Sequence, residues 1–228
     1  MPTCCESREG SLKRRLKDYS TVAVAVVAAV IGVAVWRAFD RPTAPPAPSP
    51  APVAAPAAKP SGKILLETTD FSGWAPAFLK MEKDAAPGPD ASAKATRLVE
   101  DTADSYRNIT TAINVTLPMS FSVSSVVRPG PDRVLRVFAY AGPDRVICDF
   151  DPRTMRSGVI AIGAATAKSC EIASIGDGWV SARLVGRLEQ GSDMKIAIAM
   201  MPSMAHEQYV GDGSSYLDIS KVVVSEGG

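Results

Sequence analysis

Short segments rich in β-branched and aromatic residues, separated by Gly, Pro and Asp, fill the chain from residue 63 to residue 228. Apolar and polar residues alternate within these segments, which is the period of a strand with one buried face. Between them, turns such as Gly176-Asp-Gly178 supply positive φ and side-chain-to-backbone hydrogen bonds. The predicted strands are 120–127, 134–140, 145–150, 179–185, 194–200 and 216–224. This pattern predicts an antiparallel sandwich or barrel.

Helix is not predicted in this part of the chain. The Ala-rich stretch 159–167 contains glycine and β-branched residues, so we expect it to form a strand followed by a loop. The length of 63–228 is that of one domain with a sizeable core.

Before this domain, fifteen residues from Val22 to Trp36 carry no charge. Basic residues cluster ahead of this run and only Arg37 and Arg41 closely follow it, so the positive-inside rule keeps the N-terminus in the cytoplasm. We therefore predict a cytoplasmic tail at 1–18 and a membrane helix at 19–37. A cleaved signal peptide has the same layout and remains the alternative.

Residues 38–62 are predicted to be a linker. Eight Pro and seven Ala occur in the twenty-one residues from 42 to 62, a composition that favours extended polyproline II over a packed core. The domain that follows contains 17 Lys and Arg against 20 Asp and Glu. Without a basic stripe, it is not expected to bind nucleic acid.

Cys148 and Cys170 are the only cysteines after the membrane run. An even pair in an oxidising compartment is more often a disulfide than a metal site or a nucleophile. Two buried thiols are the alternative.

Four motifs, taken in order, resemble those of jelly-roll domains of the carbohydrate-binding-module type, which occur in bacterial glycanases and phage tail proteins. They are Asp70-Phe-Ser-Gly-Trp74, the segment 88–100 (GPDASAKATRLVE), Gly176-Asp-Gly-Trp179, and the segment 209–218 (YVGDGSSYLD). The resemblance implies an antiparallel jelly-roll β-sandwich over 63–228, with Trp74 and Trp179 packing at its core or turns. It also implies a bacterial source, so the expected location is the inner membrane, with the domain in the periplasm.

Sugar recognition requires aromatic faces and a few convergent polar groups. Arg136, Phe138 and Tyr140 alternate along one predicted strand and therefore share a face. Tyr106 and Arg107 follow the strand that ends near Glu100. These five residues are the predicted ligand-binding set, and an ordinary sandwich surface is the alternative.

A structural Ca²⁺ is the one cofactor expected, because related jelly rolls often hold this ion between their first and last strands. The carboxylates at corresponding places are Glu67, Asp70 and Asp218. Solvated acids at strand ends are the alternative.

Catalysis is not predicted, because His206 is the only histidine and no zinc-binding, nucleophile-elbow or phosphate-loop motif occurs. The favoured function is a membrane-anchored, non-catalytic carbohydrate-binding module for exopolysaccharide or cell-envelope glycan. The alternative is an anchored accessory subunit that docks on another envelope protein. Exposure of Met200, Met201 and Met204 as one apolar patch would favour docking.

Overall fold

The computed structural model describes residues 62–90 and 93–227, and every regular element among them is a β-strand. In chain order these are β1 (Ile64–Thr68), β2 (Ala75–Ala77), β3 (Leu79–Pro87), β4 (Lys94–Glu100), β5 (Asp104–Ser105), β6 (Arg107–Asn114), β7 (Met119–Pro129), β8 (Val134–Ala141), β9 (Asp144–Asp151), β10 (Arg156–Ile162), β11 (Thr166–Gly176), β12 (Trp179–Leu188), β13 (Asp193–Met201), β14 (Tyr209–Val210) and β15 (Tyr216–Glu226). The predicted tail, membrane helix and nearly all of the linker lie outside the described residues. Within the described part, no helix has the length and apolarity needed to span a membrane.

Two antiparallel sheets enclose one apolar core and form a β-sandwich. The seven-stranded sheet has the order β11-β12-β7-β15-β4-β3, and β1 pairs with the second half of β15. The six-stranded sheet has the order β10-β9-β8-β13-β6-β2, while β5 and β14 form a separate two-stranded ribbon. Many neighbours in each sheet are distant in sequence, so the chain crosses repeatedly between the sheets. The predicted all-β, antiparallel sandwich is confirmed.

The sequence alternation determines which side chains enter the core. On β8, Leu135, Val137 and Ala139 are buried against the opposite sheet, and the residues between them lie on the outer face. All six predicted strands fall within observed strands, and 159–167 forms the end of β10, a loop and the start of β11. Trp74 and Trp179 are buried, as predicted.

A disulfide joins Cys148 on β9 to Cys170 on β11, with Cα atoms 5.8 Å apart. These strands belong to different sheets, so the bond links the two layers of the sandwich. Cys148 itself is part of the core.

Replacing both cysteines with alanine is expected to lower the free energy of unfolding by about 3 kcal/mol, because the bridge closes a loop with a sequence separation of 22. Urea unfolding of the double variant, compared with the wild type with and without reductant, measures this loss. The variant should match the reduced wild type, and a variant as stable as the oxidised wild type would contradict the prediction.

Candidate functional site

The candidate site lies on the outer face of the six-stranded sheet, centred on β8. Phe138 and Tyr140 project from this face, and their rings stack with centroids 5.5 Å apart. The ring of Tyr106 contacts Phe138 at a centroid distance of 6.2 Å. Tyr106, Phe138 and Tyr140, named here the aromatic trio, therefore lie together on this face.

A cavity of about 560 Å³ opens beside the trio, with Tyr106 and Phe138 in its lining and Tyr140 outside the lining, stacked on Phe138. Three neighbouring strands line it: β8 with Arg136 and Phe138, β9 with Arg145 and Ile147, and β10 with Ile162. Tyr106, Glu207 and Gln208 complete the lining from outside these strands. This volume is within the range of pockets that hold small molecules or sugar units. The lining contains both apolar and polar side chains.

The ribbon of β5 and β14 positions the part of the wall that does not come from the sheet. Ser105 pairs with Tyr209, so the residues next to them, Tyr106 and Gln208, are placed at the same end of the ribbon. Tyr209 is anchored by its hydroxyl, which donates to the Glu100 carboxylate at 2.7 Å.

Arg107 does not contact the cavity, and its prediction as a ligand-binding residue is wrong. Its side chain is fully buried, and its guanidinium donates to the carbonyl oxygens of Ser105 and Tyr209, both at 2.8 Å. It also donates to the carbonyls of Asp101 and Ala103. Arg107 points inward because it occupies an inward-facing position of β6, and there it ties the two strands of the ribbon together.

Arg136 supplies a buried charge at the base of the cavity. Its guanidinium donates to both carboxylate oxygens of Asp149, at 2.6 and 2.9 Å, and to Glu207 at 2.5 Å. Burial disfavours the charged form, but these two carboxylates raise the pKa of Arg136 above its usual value. Arg136 is thus a fixed cation that holds the Glu207 loop against the sheet.

The hydroxyl of Tyr106 remains a hydrogen-bond donor at neutral pH. Burial raises its pKa above the usual value, and the nearby positive charge of Arg136 only partly opposes this effect. A protonated phenol next to Glu207 and Gln208 gives the cavity both donors and acceptors.

The three carboxylates predicted to hold calcium do not share a site. Asp218 is buried between two arginines, whereas Glu67 and Asp70 pair with Lys221 and Lys83 at 2.5 and 3.1 Å. Although β1 and β15 are neighbours, β1 pairs with residues 222–225, beyond Asp218. Among the described residues, no group of three or more His, Cys, Asp or Glu side chains is arranged to hold a metal ion.

The methionine patch that would favour docking is not formed. Met200 and Met201 are buried in β13, and of the three only Met204 is exposed. The same loop carries His206, whose Nδ1 lies 2.9 Å from the hydroxyl of Ser203 on the exposed surface.

Five residues of the cavity lining were not predicted from the sequence: Arg145, Ile147, Ile162, Glu207 and Gln208. The first two lie on the outer face of β9, opposite Tyr140 and Phe138 respectively. Their alternation with Val146 was visible in the sequence, but the register that brings them to the site was not. Glu207 and Gln208 precede the very short strand β14, which carries no recognisable pattern.

Asp144 fixes the turn between β8 and β9 and with it the position of Arg145. Its buried carboxylate accepts hydrogen bonds from the backbone amides of Ala164, Glu189 and Gln190, at 2.8 to 3.0 Å. Burial alone would raise its pKa, but these amide donors hold the pKa below its usual value.

Because the folded-state pKa of Asp144 is depressed, its contribution to stability is present above the unfolded value of about 3.9 and is lost as the pH falls below it. Asp144→Asn is expected to lower Tm at pH 7 by about 4–8 °C and to make the further fall in Tm between pH 5 and pH 2 smaller. Circular dichroism melts across this range test both effects, with Asp90→Asn, at an exposed acid, as the control. If the Tm of Asp144→Asn fell between pH 5 and pH 2 as much as that of the wild type, Asp144 would not be the source of this pH dependence.

No protein-family model and no curated protein matches the sequence. Similar solved structures include a xylan-binding domain of Paenibacillus barcinonensis, with a TM-score of 0.43 and 12% identity, covering 74% of this chain and 97% of that one. A carbohydrate-binding module of Cellvibrio mixtus lichenase 5A, solved with cellotriose, has a TM-score of 0.40 and 11% identity, covering 72% and 99%. Tailspike protein 4 of bacteriophage CBA120 has a TM-score of 0.41 and 12% identity, covering 69% and 20%. Likenesses this distant assign no ligand.

Proposed function

We propose that this chain is a non-catalytic carbohydrate-binding module, held by a membrane anchor outside the cytoplasm, that binds exopolysaccharide or cell-envelope glycan. The observation that carries the proposal is the aromatic trio beside a cavity of about 560 Å³. Pyranose rings have apolar faces that pack on aromatic rings and hydroxyl edges that need donors and acceptors. Phe138 and Tyr140 offer the first kind of contact, and Glu207 with Gln208 the second.

The proposed location is the inner membrane of a bacterium, with residues 19–37 as the anchor and 38–62 as a spacer. The uncharged run from Val22 to Trp36 and the basic residues before it support this topology. The bond between Cys148 and Cys170 supports an oxidising compartment such as the periplasm. We also assign the sandwich to the jelly-roll class, which the repeated crossing of the chain between the sheets supports.

The test is a binding screen with the full chain in detergent against xylan, galactan, β-glucan and polygalacturonate. The double variant Phe138→Ala with Tyr140→Ala should weaken binding to the best polymer at least about 30-fold, because two ring contacts are lost. Phe78→Ala, at an exposed aromatic residue outside the cavity lining, should leave the affinity unchanged.

Two outcomes would contradict the proposal. Absence of binding to every polysaccharide would remove the function, and unchanged affinity in the double variant would remove the site. Capture of a membrane protein that sugar does not displace would favour a docking role instead.

A further inference from the structure

Two exposed cations flank the outermost ring of the aromatic trio. Tyr140 on β8 has Arg145 as its register partner on β9 and Lys195 as its partner on β13. The Lys195 ammonium lies 5.8 Å from the centroid of the Tyr140 ring, and Arg145 forms part of the cavity wall. Directly paired residues on adjacent strands have neighbouring side chains on the same face. A cation therefore stands on each side of Tyr140.

Neither cation has an acidic partner among the described residues, whereas most arginines of the domain do. Arg97, Arg107, Arg128, Arg133, Arg136, Arg153 and Arg187 all form ion pairs. Asp193 precedes Lys195 by two residues on the same face, but no ion pair joins them, and Glu207 is held by Arg136. The positive charge beside Tyr140 is thus free to meet a ligand.

The positive charge of Arg145 and Lys195 is opposite in sign to the net charge of the domain. Acids outnumber bases by 20 to 17 between residues 63 and 228, so the pair of cations does not follow from a generally basic surface. The side chains also differ in kind: the guanidinium of Arg145 can bind a carboxylate through two parallel hydrogen bonds, whereas Lys195 acts as a point charge.

We infer that the site takes a carboxylated polysaccharide, a polymer that contains uronic acid units, with carboxylates at Arg145 and Lys195 and a sugar ring at Tyr140. This inference rests on the proposed function, and it names the class of glycan. The two cations are separated by two strand spacings, roughly 10 Å between Cα atoms. A polymer that crosses the strands over Tyr140 meets both.

The experiment compares binding of the full chain in detergent to polygalacturonate, to the same polymer after carboxyl reduction, and to dextran sulfate. The double variant Arg145→Gln with Lys195→Gln is set beside a matched control, Lys63→Gln with Lys94→Gln. The control removes the same charge from two exposed lysines away from the cavity: Lys63, directly before β1, and Lys94, the first residue of β4. We expect polygalacturonate to bind at least tenfold more tightly than its reduced form, and only the site variant to lose that preference. The affinity should also fall with added salt.

The remaining outcomes separate the two proposals. Equal binding of the reduced polymer would overturn the carboxylate inference while leaving glycan binding intact. Equal binding of dextran sulfate, or equal loss in the control variant, would mean general attraction to polyanions and would also overturn the inference. If neither polygalacturonate nor any neutral polymer binds, the proposed function itself fails.

Discussion

Replacing Arg107 with methionine is expected to lower the free energy of unfolding by about 3–5 kcal/mol. The side chain is fully buried, and the change removes the donors for four backbone carbonyl groups while keeping similar bulk. Gly211 packs so closely on the guanidinium that a Cβ there would overlap it. The guanidinium therefore fits closely into its site.

The same substitution should weaken glycan binding, because Arg107 holds the ribbon that positions Tyr106 and Gln208. Arg107→Lys, which keeps the charge and supplies fewer donors, should give an intermediate loss of stability. Urea unfolding and polysaccharide affinity, measured on the wild type and both variants, test the two effects. A methionine variant within about 1 kcal/mol of the wild type would show that the carbonyls find other donors.

Replacing Asp218 with alanine is expected to cost about 2–4 kcal/mol of stability. Its buried carboxylate accepts hydrogen bonds from Arg97 on β4, at 2.8 and 3.2 Å, and from Arg128 on β7, at 2.9 and 3.2 Å. These residues are the direct register partners of Asp218 on both neighbouring strands. One carboxylate therefore clamps three adjacent strands of the seven-stranded sheet.

We place this loss below that of Arg107 because Arg97 and Arg128 are each about a quarter exposed, at 28% and 25%, and can turn towards water. Each also keeps a contact with an aromatic ring, Tyr216 and Trp179 respectively. Urea unfolding of Asp218→Ala measures the cost, with Glu67→Ala as an exposed control. Asp218 and its two arginines lie on the seven-stranded sheet, whereas the aromatic trio lies on the six-stranded sheet. The polysaccharide affinity of the folded Asp218→Ala variant should therefore equal that of the wild type. If Asp218→Ala and Glu67→Ala were equally stable, the hydrogen bonds of Asp218 would not hold the three strands together.

The sandwich could be predicted from the sequence because its later strands alternate cleanly between apolar and polar residues. The strands before residue 115 gave weaker signals. In β3, for example, the pairing register shifts between Glu82 and Ala86, which breaks the alternation. The convergence of Phe138 and Tyr140 was also predictable, because residues two apart on a strand share a face.

The errors arose where a side chain's surroundings come from distant parts of the chain. Arg107 is buried next to the ribbon, where its guanidinium donates to the carbonyl oxygen of Tyr209, 102 residues later in the chain. Asp218 accepts hydrogen bonds from arginines that are 121 and 90 residues away in the sequence. Arg145 joins the site through strand register, and Glu207 through its bond to Arg136. Local pattern contains none of this information.

Hydroxyl-radical footprinting of the full chain with the polysaccharide that binds most tightly tests most directly whether glycan binds at the aromatic trio. Bound polymer should reduce oxidation of Tyr106, Phe138 and Tyr140, while exposed Phe78, which directly follows β2 and does not line the cavity, remains as reactive as before. Protection confined to the seven-stranded sheet, or no protection of the trio at saturating polymer, would contradict the account.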